Sequence, residues 1–511
     1  MTLHPVTLTI HRAAKEIGGN CIEIAARGER ILLDAGRPLD ASEDEACGLV
    51  PKTLDLVRPV AGVLLSHAHQ DHYGILNELP ASWPVYCGKA AESLIRLTSG
   101  IFEKTPPQQF RNWACDVPFE LGPFRITPFL TDHSAFDAYM LLIEVNGCRI
   151  LYSGDFRTHG RKSVLVSRMM ASPPPSVDAL IMEGTNLGSN KPCGSEEELE
   201  ERFIELFKAT AGRVFVSWSA QNVDRTVTLF KACANRAVRR TLVVDLYTAE
   251  VMEMLADFGR LPRPGWGHIK VVVTKAFARM YEKTGRGDFL KRMIPHGISA
   301  RALAENPSNW VVMTRKSLLR DFEHCGVVPS PSDVWSWSMW GGYLKEGDGL
   351  VLKDWFESRG CPACHVHTSG HASPSDLKEF ASCIRPKVLI PVHGVDWDNE
   401  PEGFANILRL ADGEPCEFAA APCCWRRGGI VMADYSELVL EKICRTCEFG
   451  NLPTIPFCVE CGDSLTSTFP TERVEAEVKI VCMDCKAEVG EGVLRCPDCD
   501  CVVIGGDKEY W

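Results

Sequence analysis

One stretch limits what this chain can fold into more than any other. Residues 66–74, SHAHQDHYG, set His67, His69, Asp71 and His72 in the pattern H-x-H-x-D-H directly after the apolar run AGVLL. Four ligand-type side chains then share one tight loop at the carboxyl end of a strand, where α/β sheets build their sites. Zinc accepts imidazole nitrogen and carboxylate oxygen, and a catalytic site keeps one coordination position for water. With His67 and His69 turned toward one ion and Asp71 and His72 toward another, each ion still needs partners from elsewhere. Polar residues at later strand ends can supply them: His133 in TDHSAFD, Asp155 in YSGDFR and His393 in PVHG. Each alone reads equally well as a satisfied core or loop residue. The ordered set is what points to a pair of metals.

Length and charge bound the rest. The 511 residues, 45% of them hydrophobic, suffice for more than one core. A net charge of -12 excludes a protein that coats nucleic acid non-specifically, so any nucleic-acid contact has to be focused in a local groove. The 23 cysteines would suit a disulfide framework in a secreted protein. The opening MTLHPVTLTIHRAAKEIGGN, however, has no positively charged start followed by an apolar run and a cleavage site. Reduced thiols and a cytoplasmic location are therefore expected. No apolar run is long enough to cross a bilayer, and no membrane association is expected.

Residues 1–193 read as short strands (VTLTI, CIEIA, RILLDAG, AGVLLSH, YMLLIEV, RILYSGDF) broken by Gly, Pro and Asp turns. Between 194 and 360 strands alternate with helices, beginning with a capping-box serine, Ser195, which reads as an inserted, doubly wound α/β domain. Strand signals return over 361–415 with HVHTSG and KVLIPVHG, so the insertion interrupts one catalytic fold and the site should lie between the lobes. The tail, 416–511, is cysteine-rich. Cys444, Cys447, Cys458 and Cys461 are spaced C-x2-C-x10-C-x2-C, and Cys482, Cys485, Cys496 and Cys499 repeat that spacing 38 residues later. Paired thiolates at this spacing match closed tetrahedral zinc sites of the ribbon type, over 444–461 and 482–499. Disulfides are the alternative, and a reducing compartment disfavours them. Ribbons commonly dock protein or nucleic acid. The acidic surroundings here favour a protein partner or self-association at least as much as RNA.

Together these motifs resemble the β-CASP branch of the metallo-β-lactamase superfamily, and within it the ribonuclease J group, over roughly the first four fifths of the chain. The resemblance implies an αββα sandwich with an inserted α/β domain. KEIGGNCIEI resembles the family's Gly-Asn loop, and Asp34 in LLDAG the aspartate of its first motif. By the same resemblance His67, His69 and His133 hold one zinc, Asp71, His72 and His393 the other, and Asp155 bridges. Glu183 in MEGT, His371 in HTSGHAS and His393 match the β-CASP motifs. Two adjacent cations activate a bridging water, clamp phosphate oxygens and stabilise the attacking and departing oxygens. The implied activity is hydrolysis of RNA phosphodiester bonds by that hydroxide, with Asp71 and His393 in the catalytic set and His371, held by Glu183, as general acid. Members acting on DNA generally lack a histidine at the position of His393, which favours single-stranded RNA. Manganese can replace zinc at the catalytic pair. DNA cleavage, hydrolysis of a β-lactam or thioester, and a non-catalytic RNA-binding role are the alternatives.

Substrate contacts are less sharply marked. His367 and Ser369 match an element that contacts a substrate phosphate in the family. Ser219, Asn222 and Arg225 in SWSAQNVDRTVTLF resemble its serine and asparagine loop, although a capped helix with a solvated arginine reads nearly as well. The basic stretch 275–293 with Phe277 and Tyr281 suits a strand-guiding surface or a solvated helix. Where the family has a serine-rich Pro-Gly-Asn element this chain has VWSWSMWGGYL, which puts 5′-phosphate recognition in doubt. Trp335, Trp337 and Trp340 either stack bases or fill the core, and burial preference favours the core. Cys361, Cys364 and His365 spell a haem-attachment motif, which without an export signal reads as chance.

Overall fold

The computed structural model describes residues 5–41, 48–101, 104–189, 193–399 and 402–418, with four two-residue strands between 442 and 489. The chain divides into two units, Met1–Ala420 and Ala421–Trp511. The first unit contains three sheets. In the first, a seven-stranded sheet, Val6–Arg12, Cys21–Ala26 and Glu29–Leu33 pair antiparallel, and Gly62–Leu64, Val85–Cys87 and Phe110–Asn112 continue in parallel. The six-stranded second sheet runs from Phe119–Leu121 through Phe124–Leu130, Tyr139–Val145 and Cys148–Tyr152 to Ala179–Met182 and Val388–Pro391. Its last three strands are parallel, so their carboxyl ends come out on one edge. The alternation in VTLTIHR turns Val6, Leu8 and Ile10 inward, where they meet Ile126, Ile143, Ile150 and Ile181 of the second sheet in one dry core.

The outer faces are covered by helices. Lys89–Ile101 packs its Ala90, Leu94 and Ile95 against the first sheet, while Ser163–Ala171 and Pro374–Ile384 cover the second. The layers are therefore helix, sheet, sheet, helix, as the resemblance implied.

The third sheet belongs to the insertion. Its seven strands are all parallel, in the spatial order Gly297–Ile298, Ile269–Val272, Thr241–Val244, Trp310–Met313, Val214–Ser217, Val334–Trp337 and Ala363–His365. The capping box at Ser195 forms: its side chain accepts from the Glu198 amide, and Glu198 reaches back to the Ser195 amide. Two segment limits differ from those read in the sequence. Ala363–His365 is the last insertion strand, so the insertion runs past residue 360. Pro415–Phe418 pairs with Val6–Arg12 and closes the first sheet, so the core runs past residue 415. Both strands are too short for periodicity to mark them.

The aromatics of 275–293 are core rather than a strand-guiding surface: Phe277 and Tyr281 are buried under the insertion sheet. Trp335 and Trp337 are buried and Trp340 is exposed. In the second unit, Lys442–Ile443 pairs antiparallel with Gly450–Asn451, and Ile480–Val481 with Glu488–Val489. The eight cysteines read as zinc ligands lie outside the described residues. Among the described residues no helix is long and apolar enough to cross a membrane.

Candidate metal centre

The site is assembled where carboxyl ends of strands converge. Gly62–Leu64 feeds the loop with His67, His69 and Asp71; Phe124–Leu130 leads to His133; the parallel trio Cys148–Tyr152, Ala179–Met182 and Val388–Pro391 ends in Asp155, Glu183 and His393. The loop takes this path because the chain beside it is bare. A Cβ on Gly36 would lie 1.8 Å from the Asp71 carbonyl oxygen, and that oxygen accepts the Asn20 amide at 3.0 Å. His393 itself adopts φ +49, held by its amide to Ala13 O at 2.8 Å and its carbonyl to Gly184 N at 3.1 Å.

Donor atoms gather in three overlapping groups, each within 4.8 Å: His67, His69 and His133; Asp71, His72, Asp155 and His393; and His133, Asp155 and His371. His69 Nδ1 lies 3.2 Å from both His67 Nε2 and His133 Nε2. Asp155 Oδ2 reaches the first two groups, 3.0 Å from His72 Nε2, 3.7 Å from His67 Nε2 and 3.8 Å from His393 Nε2. Burial, reinforced by neighbouring imidazoles, holds His67 and His133 well below the ordinary histidine range. His69 is held down at about 4, again chiefly by burial. Neutral imidazole nitrogens that converge this closely are placed as the ligands of a divalent cation are. Asp155 Oδ1 and His393 Nε2 are likewise buried with no hydrogen-bond partner. The donor set therefore fits divalent cations.

A second ring of residues aims the ligands. Asp34, at φ +60, accepts from Ser66 N at 2.7 Å, Ser66 Oγ at 2.9 Å, Tyr152 Oη at 2.6 Å and His72 Nδ1 at 2.7 Å. Asn20 Oδ1 lies 2.7 Å from His393 Nδ1, which also meets the Gly18 amide at 3.3 Å, while the Asn20 amide nitrogen donates to Tyr152 Oη at 2.9 Å. Both histidines are thereby held through Nδ1 with Nε2 facing the cluster, His72 Nε2 lying 3.0 Å from Asp155 Oδ2.

Beside the cluster, His371 Nδ1 donates to Glu183 Oε2 at 2.9 Å. Glu183 is buried, and its other oxygen accepts the Phe156 amide at 3.0 Å, which fixes the carboxylate. Burial pulls the His371 pKa down, but Glu183 and then Asp155 outweigh it and push it up to about 9. His371 is thus an imidazole held by Glu183 at the edge of the donor groups, with its side chain still 20% exposed.

The proposed substrate residues divide. Ser369 stays at the site: its Oγ accepts the His371 amide at 3.1 Å and meets Asn186 Nδ2 at 3.0 Å. His367 is half-buried, stacked on His365 at 5.5 Å, with its pKa lowered to about 3 by burial and then Arg225. Arg225 is no backbone contact. It is fully buried, paired with Glu196 at 3.0 Å and donating to Ser338 O at 3.1 Å, which leaves no face for a substrate. Asn222 caps the helix Val223–Ala234, accepting the Arg225 amide at 3.0 Å, and exposed Ser219 accepts the Gln221 amide at 3.3 Å.

Sequence reasoning missed Arg157. This fully buried guanidinium pairs with Asp132 at 3.4 Å, Glu196 at 3.6 Å and Asp224, and donates to Ser369 O at 3.2 Å. It ties the Asp155 loop to the insertion and to the His371 segment. Its place two residues after Asp155 in GDFR was the available signal.

Two facing sheets with a His/Asp donor cluster at their edge define an αββα metallo-hydrolase fold. Residues 29–243 match the beta-lactamase superfamily domain, and residues 364–396 match the Zn-dependent metallo-hydrolase RNA specificity domain. Over 402 residues the chain is 23% identical to Ribonuclease J of Helicobacter pylori, covering 74% of this chain and 54% of that protein. It is 24% identical over 405 residues to Ribonuclease J 1 of Streptococcus pyogenes, covering 74% and 67%. The chain thus spans about half the length of the Helicobacter pylori relative. The crystal structure of a protein of unknown function from Enterococcus faecalis shares the fold, with a TM-score of 0.66 at 21% identity over 81% of this chain and 100% of that one. The two domain matches and the ribonuclease J relatives together support a metallo-β-lactamase chain of the β-CASP, ribonuclease J-like kind.

Proposed function

We propose that this chain is a metal-dependent ribonuclease that hydrolyses phosphodiester bonds in single-stranded RNA, using two zinc ions at the His/Asp cluster. The observation that supports it most is the His371–Glu183 pair at 2.9 Å beside the donor groups, because a leaving ribose oxygen needs a proton and small-ring or thioester substrates need no second lobe. His67, His69 and His133 would hold one ion; Asp71, His72 and His393 the other; Asp155 would reach both. Cations bound there supply Lewis acidity, lowering the pKa of water and neutralising phosphate charge. The chain's own residues do the rest. Glu183 fixes the His371 ring through Nδ1 and leaves Nε2 to deliver a proton to the departing oxygen. Ser369 orients that segment through the His371 amide. Asp34 and Asn20 hold His72 and His393 through Nδ1 and turn Nε2 of each toward the cluster.

Manganese is a substitute at the catalytic pair. Two structural zinc ions at Cys444, Cys447, Cys458, Cys461 and at Cys482, Cys485, Cys496, Cys499 belong to the same reading, with a protein partner or self-association through those modules. In its support, the two short strand pairs of the second unit are displaced by 480 − 442 = 38 residues, the period of the cysteine repeat. Free thiols such as Cys21, Cys87 and Cys148 suit a reducing, cytoplasmic setting.

The test is degradation of end-labelled single-stranded RNA, with a 5′ monophosphate or 5′ hydroxyl, by wild type and His371→Ala at measured metal content. The expected outcome is cleavage by wild type and a loss of about 10²- to 10⁴-fold in the variant with metals retained. A DNA strand of the same sequence reports 2′-hydroxyl dependence. Metal-loaded wild type that leaves RNA intact while opening a lactam or thioester would refute the assignment.

A further inference from the structure

The segment in which this chain departs from its group, VWSWSMWGGYL, does two different things. Trp335 and Trp337 turn into the insertion core, and the chain then emerges at Trp340. Trp340, 63% exposed, and Tyr343, 52% exposed, are the two most exposed phenyl or indole side chains among the described residues. Exposure of this kind costs stability unless something covers it.

The pair is held rather than trailing. Trp337 Nε1 donates to the Trp340 carbonyl at 3.0 Å. The Trp340 ring lies on Gly342, where a Cβ would meet ring carbons at 2.1 to 2.5 Å, so only glycine fits beneath it. Tyr343 stands edge-on to the indole, with centroids 5.3 Å apart and planes at 88°.

The loop is also fastened to the segment that carries His371. Ser338 Oγ donates to Val366 O at 2.6 Å, and His365 Nε2 lies 2.9 Å from Met339 O. The stacked rings of His365 and His367 follow, then Ser369 and His371. The aromatic pair therefore stands on a loop hydrogen-bonded to the segment that leads to Ser369 and His371.

A flat, rigid, sequence-tolerant surface is what an unpaired base needs. Every base has a π-face, and a chain of net charge -12 gains little from long-range attraction of phosphates. We propose that Trp340 and Tyr343 form a stacking platform that grips one base of single-stranded RNA along the segment leading to the metal centre and so fixes which phosphodiester reaches it. This rests on the ribonuclease reading above and goes beyond it in naming the residues that position the strand.

The experiment uses the full chain, metal-loaded, in a His371→Ala background to slow turnover, and measures the Kd of a short single-stranded RNA together with a series in which one nucleotide at a time is abasic. Trp340→Ala is expected to weaken binding about 5- to 100-fold, as loss of one stacked base would. Trp340→Phe should keep most of the affinity, because the flat ring is what matters. One abasic position should weaken the background protein by the same factor and Trp340→Ala no further. In the otherwise wild-type chain, Trp340→Ala should raise KM for RNA more than it lowers kcat. An unchanged Kd for Trp340→Ala, or equal penalties at every abasic position in both proteins, overturns the platform. So does an unchanged Kd accompanied by altered self-association, which would mark the patch as a protein contact. The two readings fail separately: if wild type neither binds nor cuts RNA the ribonuclease assignment falls with the platform, whereas wild type that cuts while Trp340→Ala binds normally removes the platform alone.

Discussion

Arg157, Arg225 and Glu196 are as fully buried as His67, His133 and Asp155, yet the two regions treat their charges in opposite ways. In the first, cations and anions pair with each other: Arg225 with Glu196 at 3.0 Å, Arg157 with Asp132, Glu196 and Asp224, with Asp132 Oδ2 alone buried without a hydrogen bond among these carboxylates. In the second, imidazole nitrogens crowd one another at 3.2 Å, and His133 Nδ1, Asp155 Oδ1 and His393 Nε2 have no hydrogen-bond partner. Removing charges from water costs several kcal/mol per ion, so a fold tolerates a buried charge only when something pairs it. The network supplies that partner from within the chain and holds the two lobes together. The donor cluster leaves the place open for a cation. Density of buried charge therefore does not by itself mark a functional site; convergence of ligand-type atoms on one spot does.

The sharpest way to break the contrast is to remove the carboxylate that reaches across the donor groups. Asp155→Asn should cost metal content, read by elemental analysis, and RNA hydrolysis should fall by roughly 10³-fold or more, since the cations are worth several kcal/mol to the transition state. Its folded structure should survive. A variant with full metal and near-normal activity would show that Asp155 bridges nothing.

The matching change in the other region should act on stability. Glu196→Ala leaves two buried guanidiniums short of a counter-charge and should destabilise the first unit by about 3–5 kcal/mol in denaturant unfolding, with metals kept in the folded fraction. A pH effect follows from the same pair. Burial alone would raise the Glu196 pKa, but Arg225 and then Arg157 outweigh it and hold it down at about 2. A depressed folded value means that the contribution is fully present above the unfolded value near 4.5 and is lost as pH falls toward 2. In Glu196→Ala that portion of the acid transition should be missing; an unchanged acid profile would deny the pairing its role.

A smaller effect should come from the residue that aims His72. Asp34→Asn keeps the shape and tolerates φ +60, but exchanges a charged acceptor for an amide. The expected outcome is a 10- to 100-fold loss of metal affinity in a chelator competition, with little change in unfolding. A stability loss without an affinity loss would place Asp34 with the satisfied network instead.

How much of this was legible depends on where the partner lies. The donor set could be read because ligand residue types crowd into H-x-H-x-D-H and recur at strand ends, so chemistry and position coincide along the chain. The layered fold could be read because strand and helix periods alternate over long stretches. Arg225 could not be placed, because its partner Glu196 is 29 residues away on another helix and nothing local distinguishes a paired arginine from a solvated one. The link from Arg157 to Asp224 spans 67 residues and was invisible for the same reason. The strand Pro415–Phe418 escaped because the alternation in PCEF covers only four residues; pairing with Val6–Arg12 defines it. Trp340 and its neighbours could not be sorted, since VWSWSMW alternates and only burial separates the two inward rings from the outward one.

Asn222 tests the border between the two regions most finely, and its effect should be the smallest. Its Oδ1 accepts the Arg225 amide at 3.0 Å at the start of Val223–Ala234, so the side chain already has the work of a helix cap. Losing such a cap costs about 1 kcal/mol. Asn222→Ala should therefore lower stability by that amount and leave the Kd for single-stranded RNA unchanged, whereas Asn222→Ser, which can still cap, should restore most of the stability. A drop in RNA affinity not rescued by Asn222→Ser would return Asn222 to the substrate path and would mean that the satisfied side of the insertion also faces the strand.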